Sequence, residues 1–288
     1  MNGLRLLLAE GNTAERNAEA IAAGGRPGTA CFSEILGAVA PGCEIEIVNP
    51  ADADAALPAG ADLSQYHGFM MSGSALNIPG GEDDPRVVRQ VDLAKAVFAA
   101  GVPFYGSCWG LQVAVAAAGG TVSASPLGCE MAVARKVQLN DEGRAHPLYD
   151  GKAAVFDAPA VHIDEVTALP SGATLLASNG FSKVQGVTFR HGKGEFWGVQ
   201  YHPEFDLADM AVLVKRYVRR LIDQGFFAAP EDAEAHAERL KTLHADSARK
   251  DIAWGLGLDA DVLDPAIRWR EIVNWVEFAA KPRARSAQ

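Results

Sequence analysis

The chain has 288 residues, 49% apolar and 22% charged, a balance that suits one large globular domain or a domain with an appendage. Its formal net charge of −10 excludes a general nucleic-acid binder, because no basic stripe exists to neutralise phosphates. Four cysteines (Cys31, Cys43, Cys108 and Cys129) lack metal-ligand spacing or a dense disulfide pattern, which fits a reducing, cytoplasmic setting.

Near-continuous apolar runs at 4–9, 45–48, 69–72 and 102–105 predict buried strands of the parallel-sheet kind. The first run is too short and wrongly flanked for a signal peptide, and no apolar run reaches the roughly 18 residues of a membrane span. Residues 12–30, with Gly24-Gly25 and Pro27-Gly28, read as a long loop beside the first strand. Helices are predicted over 33–39 and 85–100, the second entered through acidic residues and Pro85 at a favourable first position. A third, 110–118, stops at Gly119-Gly120. This alternation predicts an α/β fold, a mostly parallel central sheet with helices on both faces.

Past residue 121 the strand-like pieces shorten, at 131–139, 153–156, 175–178, 184–189 and 196–200, and suggest antiparallel additions to the sheet. A helix over 206–223 follows, with Met210, Val214 and Leu221 near one face. Beyond Gly225 the composition turns to Ala, Glu and Leu. Helices over 230–247 and 266–279 are expected, the latter packing Trp269 and Trp275 on the same chain. The organisation is therefore a domain of residues 1–225 and a C-terminal helical extension of 226–288. The last cations, Lys281, Arg283 and Arg285, read as a solvated tail.

The chemistry concentrates in two segments. Tyr105-Gly106-Ser107-Cys108-Trp109-Gly110-Leu111-Gln112 joins an apolar run to a helical one. A cysteine between Gly106 and Gly110 at such a junction has the form of a nucleophile elbow, with sulfur replacing the serine oxygen. The turn forces the residue into a strained conformation that only small neighbours tolerate, and the helix N-terminus favours thiolate. The second segment, Gln200-Tyr201-His202-Pro203-Glu204, ends a strand in His-Pro-Glu. A carboxylate two residues after a histidine can hold the imidazole tautomer and stabilise imidazolium, which a thiol nucleophile needs from its base.

With both segments in this order, the chain resembles the class I, triad-type glutamine amidotransferases, and is similar to the glutaminase domain of GMP synthetase. The resemblance covers residues 1–225 and implies a flavodoxin-like domain. It implies Cys108 as nucleophile, His202 as general base and acid, and Glu204 as the acid that orients it. Gly73 and Trp109 would supply oxyanion-hole N–H groups, while Gln112, Val161 and His162 would line the γ-glutamyl pocket. No metal or cofactor is called for. The chain departs from synthetase domains at Ser72-Gly73-Ser74-Ala75, where those usually carry Gly-Gly-Pro, and it holds no phosphate loop or pyrophosphatase signature.

The expected function is hydrolysis of the γ-amide of glutamine or a γ-glutamyl compound through a cysteine thioester. Two alternatives share the fold: a glutaminase subunit feeding ammonia to a separate synthetase, and a non-catalytic binding or regulatory subunit. A redox-sensing cysteine protein of similar topology has no use for the His-Pro-Glu element. The small-molecule partner is glutamine or a γ-glutamyl compound, with no nucleic acid and no membrane.

Overall fold

Alternating apolar residues build a sheet buried on both sides. In β1 (Arg5–Ala9), Leu7 and Ala9 face one layer and Leu6 and Leu8 the other, and all four are fully buried. The structure, a computed structural model, describes residues 3–281. After β1 come α1 (Ala14–Ala22), α2 (Gly28–Val39), β2 (Glu44–Val48) and β3 (Gly68–Met71). Next are α3 (Pro85–Ala100), β4 (Phe104–Ser107), α4 (Trp109–Ala117), β5 (Thr121–Ala124), β6 (Glu130–Leu139) and α5 (Asp141–Ala145). Then follow β7 (Val155–His162), β8 (Asp164–Ala168), β9 (Thr174–Ser178), β10 (Gly186–His191) and β11 (Gly194–Val199). The chain closes with α6 (Leu207–Arg216), α7 (Val218–Asp223), α8 (Pro230–Ala245), α9 (Lys250–Leu256), α10 (Ala260–Leu263), α11 (Pro265–Arg268) and α12 (Arg270–Ala279).

Nine strands form one mixed sheet in the order β2-β1-β3-β4-β11-β10-β9-β6-β7. The first five run parallel, in the 2-1-3-4-5 arrangement of flavodoxin-like sheets. The last four add on antiparallel, while β5 and β8 pair separately as a two-stranded ribbon. Ligands in such sheets bind beyond the carboxyl ends of the parallel strands.

One face packs on α3 and α4, where Phe69, Met71 and Phe104 meet Phe98 and Leu111. The other packs on α2 and α12, where Met70, Tyr105 and Trp197 meet Phe32, Ile272 and Trp275. The final helix thus completes a layer of the central domain. Trp275 lies against Gly68, where a Cβ would come within 2.6 Å of the indole, and Phe278 stacks on Trp197 at 4.4 Å. A third cluster joins α6 to α8, α9 and α10 through Met210, Leu240, Ala253 and Val262.

The structure corrects several element expectations. Residues 12–30 are not one loop. Thr13 caps α1 by accepting from Arg16 N at 3.2 Å, and α2 begins at Gly28, where a side chain would run into Ser72. The glycine pairs mark the break between two helices. The 206–223 helix is interrupted at Tyr217, and the 266–279 helix at Trp269. The strand expected at 153–156 continues to His162 through Pro159, which is tolerated because β7 is the sheet edge. The β5–β8 ribbon has no counterpart in the expectations, being four- and five-residue pieces with polar faces. Among the described residues no helix is long and apolar enough to cross a membrane.

Candidate active site

β4 ends at Ser107 and α4 begins at Trp109, so Cys108 takes the whole turn, with φ 50° and ψ −102°. Positive φ in a residue with a Cβ costs about 1–3 kcal/mol and persists only where surroundings enforce it. Here Cys108 N donates to Val199 O of the neighbouring strand at 2.8 Å, and Cys108 O accepts from Gln112 N at 3.1 Å. A Cβ at Gly106 would meet the Gly110 backbone, and one at Gly110 would meet Met71 O. The two glycines let the elbow close against β3. The Trp109 amide is the first of α4, one of those that intrahelical bonding leaves free. Its indole is fixed by a 2.7 Å bond to Gln90 Oε1.

β11 is hydrogen-bonded beside β4, which brings the residues after Val199 next to the elbow. His202 N donates to Pro159 O at 2.7 Å, and the imidazole stacks on Phe205 with centroids 4.1 Å apart. His202 Nδ1 lies 2.8 Å from Glu204 Oε1, and the same oxygen accepts from Ser107 Oγ at 2.7 Å. All three side chains are buried. A carboxylate acceptor requires the proton on Nδ1, which leaves Nε2 to act as base.

Burial disfavours the His202 cation, but the charge of the Glu204 carboxylate and then that of Cys108, with the hydrogen bond to Glu204, outweigh it and raise the pKa to about 10. Nε2 is buried and has no hydrogen-bond partner, while Cys108 Sγ sits 3.5 Å from Val161 O. Gly73, at the end of β3, closes the other side. A Cβ there would stand 2.7 Å from His202 Cε1.

Glu10 braces this corner. It accepts from Thr29 N at 3.0 Å, Thr29 Oγ1 at 2.9 Å and Ser72 Oγ at 3.3 Å, tying the ends of β1 and β3 to the start of α2.

A cavity of about 230 Å³ opens onto Cys108, walled by Gln112, Cys129, the 161–164 segment and residues of α1 and α7. Gln112 Nε2 donates to Asp164 O at 3.0 Å and Gln200 Oε1 at 3.3 Å. His162 is clamped at both nitrogens. Nε2 lies 2.7 Å from Glu130 Oε2 and Nδ1 3.0 Å from Asp164 O, and a carbonyl can only accept, so Nδ1 carries hydrogen. Asn179 and Gln185 donate to the same Glu130 carboxylate at 2.6 and 2.7 Å. This network fixes the peptide that faces the sulfur.

Cys108, His202, Glu204, Gly73 and Trp109 therefore converge at the ends of β3, β4 and β11, and Gln112, Val161 and His162 line or back the same cavity. Sequence reading missed Ser107, Arg220 and the place of Cys129 in the cavity wall. Only Ser107, adjacent to the elbow, carried a local signal. Among the described residues no group of three or more His, Cys, Asp or Glu side chains is placed to hold a metal ion.

A buried imidazole held by a carboxylate beside an elbow thiol can carry out covalent acyl transfer through sulfur. Comparison with known proteins is specific. The family model for class I glutamine amidotransferases matches residues 38–218. The chain is 34% identical to the γ-glutamyl-L-1-hydroxyisopropylamide hydrolase of Pseudomonas sp over 99% of this chain and 96% of that protein. It is 33% identical to the GMP synthase of Cellvibrio japonicus, over 46% of this chain but only 25% of that enzyme.

A solved glutamine amidotransferase from Methylobacillus flagellatus superposes with a TM-score of 0.58 at 18% identity, covering 100% of this chain and 99% of that one. The chain belongs to the class I glutamine amidotransferase family. It is a hydrolase of that family acting on glutamine or γ-glutamyl compounds.

Proposed function

We propose that this protein is a free-standing hydrolase of γ-glutamyl amides of small amines, with Cys108, His202 and Glu204 as its triad. The observation that carries the reading is the pairing of His202 with Glu204 at 2.8 Å beside the strained Cys108 elbow, open to a cavity sized for a small metabolite. The end-to-end similarity to a hydrolase named for a γ-glutamyl alkanolamide supports the substrate class. Against the GMP synthases, similarity covers only 25–30% of their length, so the reading of an ammonia-donating subunit has less support. Free thiols at all four cysteines fit a reducing, cytoplasmic setting.

In this mechanism the Cys108 sulfur turns from Val161 O toward His202, and its proton passes to Nε2. A histidine with its pKa raised to about 10 keeps that proton at neutral pH. The sulfur bonds to the γ-carbonyl carbon, and the oxyanion rests on the Gly73 and Trp109 amides, a donor arrangement commonly worth about 3 kcal/mol each. The C–N bond breaks as His202 gives its proton to the departing nitrogen. Water then attacks the thioester, giving a proton to His202. The C–S bond breaks, releasing glutamate and restoring the thiol. Glu204 holds the imidazole throughout, and Ser107 holds Glu204.

Purified protein offered L-glutamine and γ-glutamyl ethylamide in parallel tests the reading. Faster ethylamine release than ammonia release, abolished by Cys108→Ala, supports it. Turnover of glutamine alone, and only when a synthetase is added, refutes it.

A further inference from the structure

We propose that Glu10, Gly11 and Gln90 are positioning residues that set the spacing of the two oxyanion-hole amides, those of Gly73 and Trp109. The inference deepens the hydrolase reading above and rests on it for the role of those amides. Gly73 lies just beyond β3 and Trp109 opens α4, so the two donors come from separate elements. Among the described residues neither N–H is given to a protein acceptor. The gap between them is spanned by the two residues that follow β1.

Gly11 sits between the donors. A Cβ on it would stand 2.6 Å from Gly73 O and 2.9 Å from Trp109 Cδ1, so only glycine lets both close in. Its N–H donates at 2.9 Å to the Oγ of Ser72, the residue before Gly73. Its carbonyl accepts from Gln90 Nε2 at 3.1 Å, and Gln90 Oε1 accepts from the Trp109 indole at 2.7 Å. One backbone residue thus reaches both halves of the hole, through a buried serine on one side and a buried glutamine on the other.

Glu10 directs the serine. The Ser72 hydroxyl has one hydrogen and two acceptors at 3.3 Å, Glu10 Oε1 and Gly73 O. A carboxylate is the stronger acceptor, so the hydroxyl turns to Glu10 and does not pull on the Gly73 peptide. Glu10 is 1% exposed and pairs with no cation among the described residues. Neutral donors hold it: Thr29 N and Oγ1 on Oε2, Asn12 N and Ser72 Oγ on Oε1. Both oxygens must accept, which a glutamine cannot supply. Burying a carboxylate without a cation is costly, and this one stands where a shift of about 1 Å in an amide is felt in the rate.

The variants Glu10→Gln and Gln90→Met test this in the intact protein, with L-glutamine and γ-glutamyl ethylamide both offered. Each is expected to lower kcat at least about tenfold with KM nearly unchanged, because the oxyanion exists only past the bound state. Alkylation of Cys108 by iodoacetamide requires the thiolate but no oxyanion hole, so its rate and pH profile should match the wild type. Adding Glu10→Gln to Gly73→Ala should cost nothing further, since the amide it positions is already displaced. Should Glu10→Gln fail to fold, Ser72→Ala cuts the same link and is expected to give the same pattern. Alkylation that falls with kcat, a full additional loss on the Gly73→Ala background, or wild-type kcat in the variants overturns the proposal. Wild-type preference for glutamine over the ethylamide, with the variants behaving as expected, counts against the small-amine reading alone.

Discussion

The Tyr201 hydroxyl donates to Glu271 Oε1 at 2.6 Å, so the residue before His202 is anchored on the last helix of the chain. Glu271 is fully buried and also pairs with the equally buried Lys152 at 3.1 Å, while Tyr149 closes the group at 3.3 Å from Tyr201. Through this contact α12 supports both the core and the segment that carries the imidazole.

Replacing Glu271 with Ala strands the Lys152 ammonium in the interior, a class of change that costs about 3–5 kcal/mol. Urea denaturation of E271A is expected to show a loss in this range. Tyr201→Phe removes one hydrogen bond and costs less, about 1–3 kcal/mol.

The His202 pKa stands above its ordinary value of 6.5, at about 10. Stability from this group is therefore fully present below pH 6.5 and lost as pH rises through about 10. Loss of the His202 proton is expected to give kcat/KM a basic limb near pH 10. Glu204→Gln removes the negative charge that does most to raise the pKa, so the limb moves to lower pH and kcat falls. An unmoved limb in E204Q contradicts the assignment of that charge.

Ser107 supplies one of two contacts to Glu204 Oε1, and Glu204 Oε2 has none. Ser107→Ala leaves the carboxylate held only by the histidine it is meant to orient. A hydrogen bond to a charged group contributes about 1.5–3 kcal/mol, so kcat drops at least about tenfold while KM changes little. Steady-state kinetics on a γ-glutamyl amide read this directly.

Gly73 faces His202 so closely that an added methyl must displace the ring or the loop. Because Glu204 and Phe205 pin the ring, Gly73→Ala shifts the loop and its amide away from the oxyanion. The expected result is a fall of about a hundredfold in kcat with the thermal midpoint nearly unchanged. An active Gly73→Ala enzyme would remove that amide from the mechanism.

Local patterns carried the site, because the elbow glycines flank Cys108 within two residues and His-Pro-Glu is contiguous. Apolar runs likewise located β1, β3 and β4, since strands buried on both faces cannot alternate in polarity. What depends on distant contacts was illegible. Nothing near Glu10 or Arg220 tells what each touches, and Trp275 finds its niche only because Gly68 leaves room on a strand far earlier in the chain. The α1 and α2 helices were hidden for the opposite reason. Gly24-Gly25 and Pro27 sit between them and, with Gly28 opening α2, mimic a loop, whereas α1 is defined by its Thr13 cap and α2 starts where Gly28 packs on Ser72.

Catalysis depends on one sulfur, and covalent labelling reads it most directly. Incubation with 6-diazo-5-oxo-L-norleucine, a reactive glutamine mimic, followed by peptide mass spectrometry should give one adduct on Cys108. Cys31, Cys43 and Cys129 should remain free, and turnover should be lost in proportion to labelling. An adduct on another residue, or a Cys108→Ala protein that still hydrolyses γ-glutamyl amides, would contradict it.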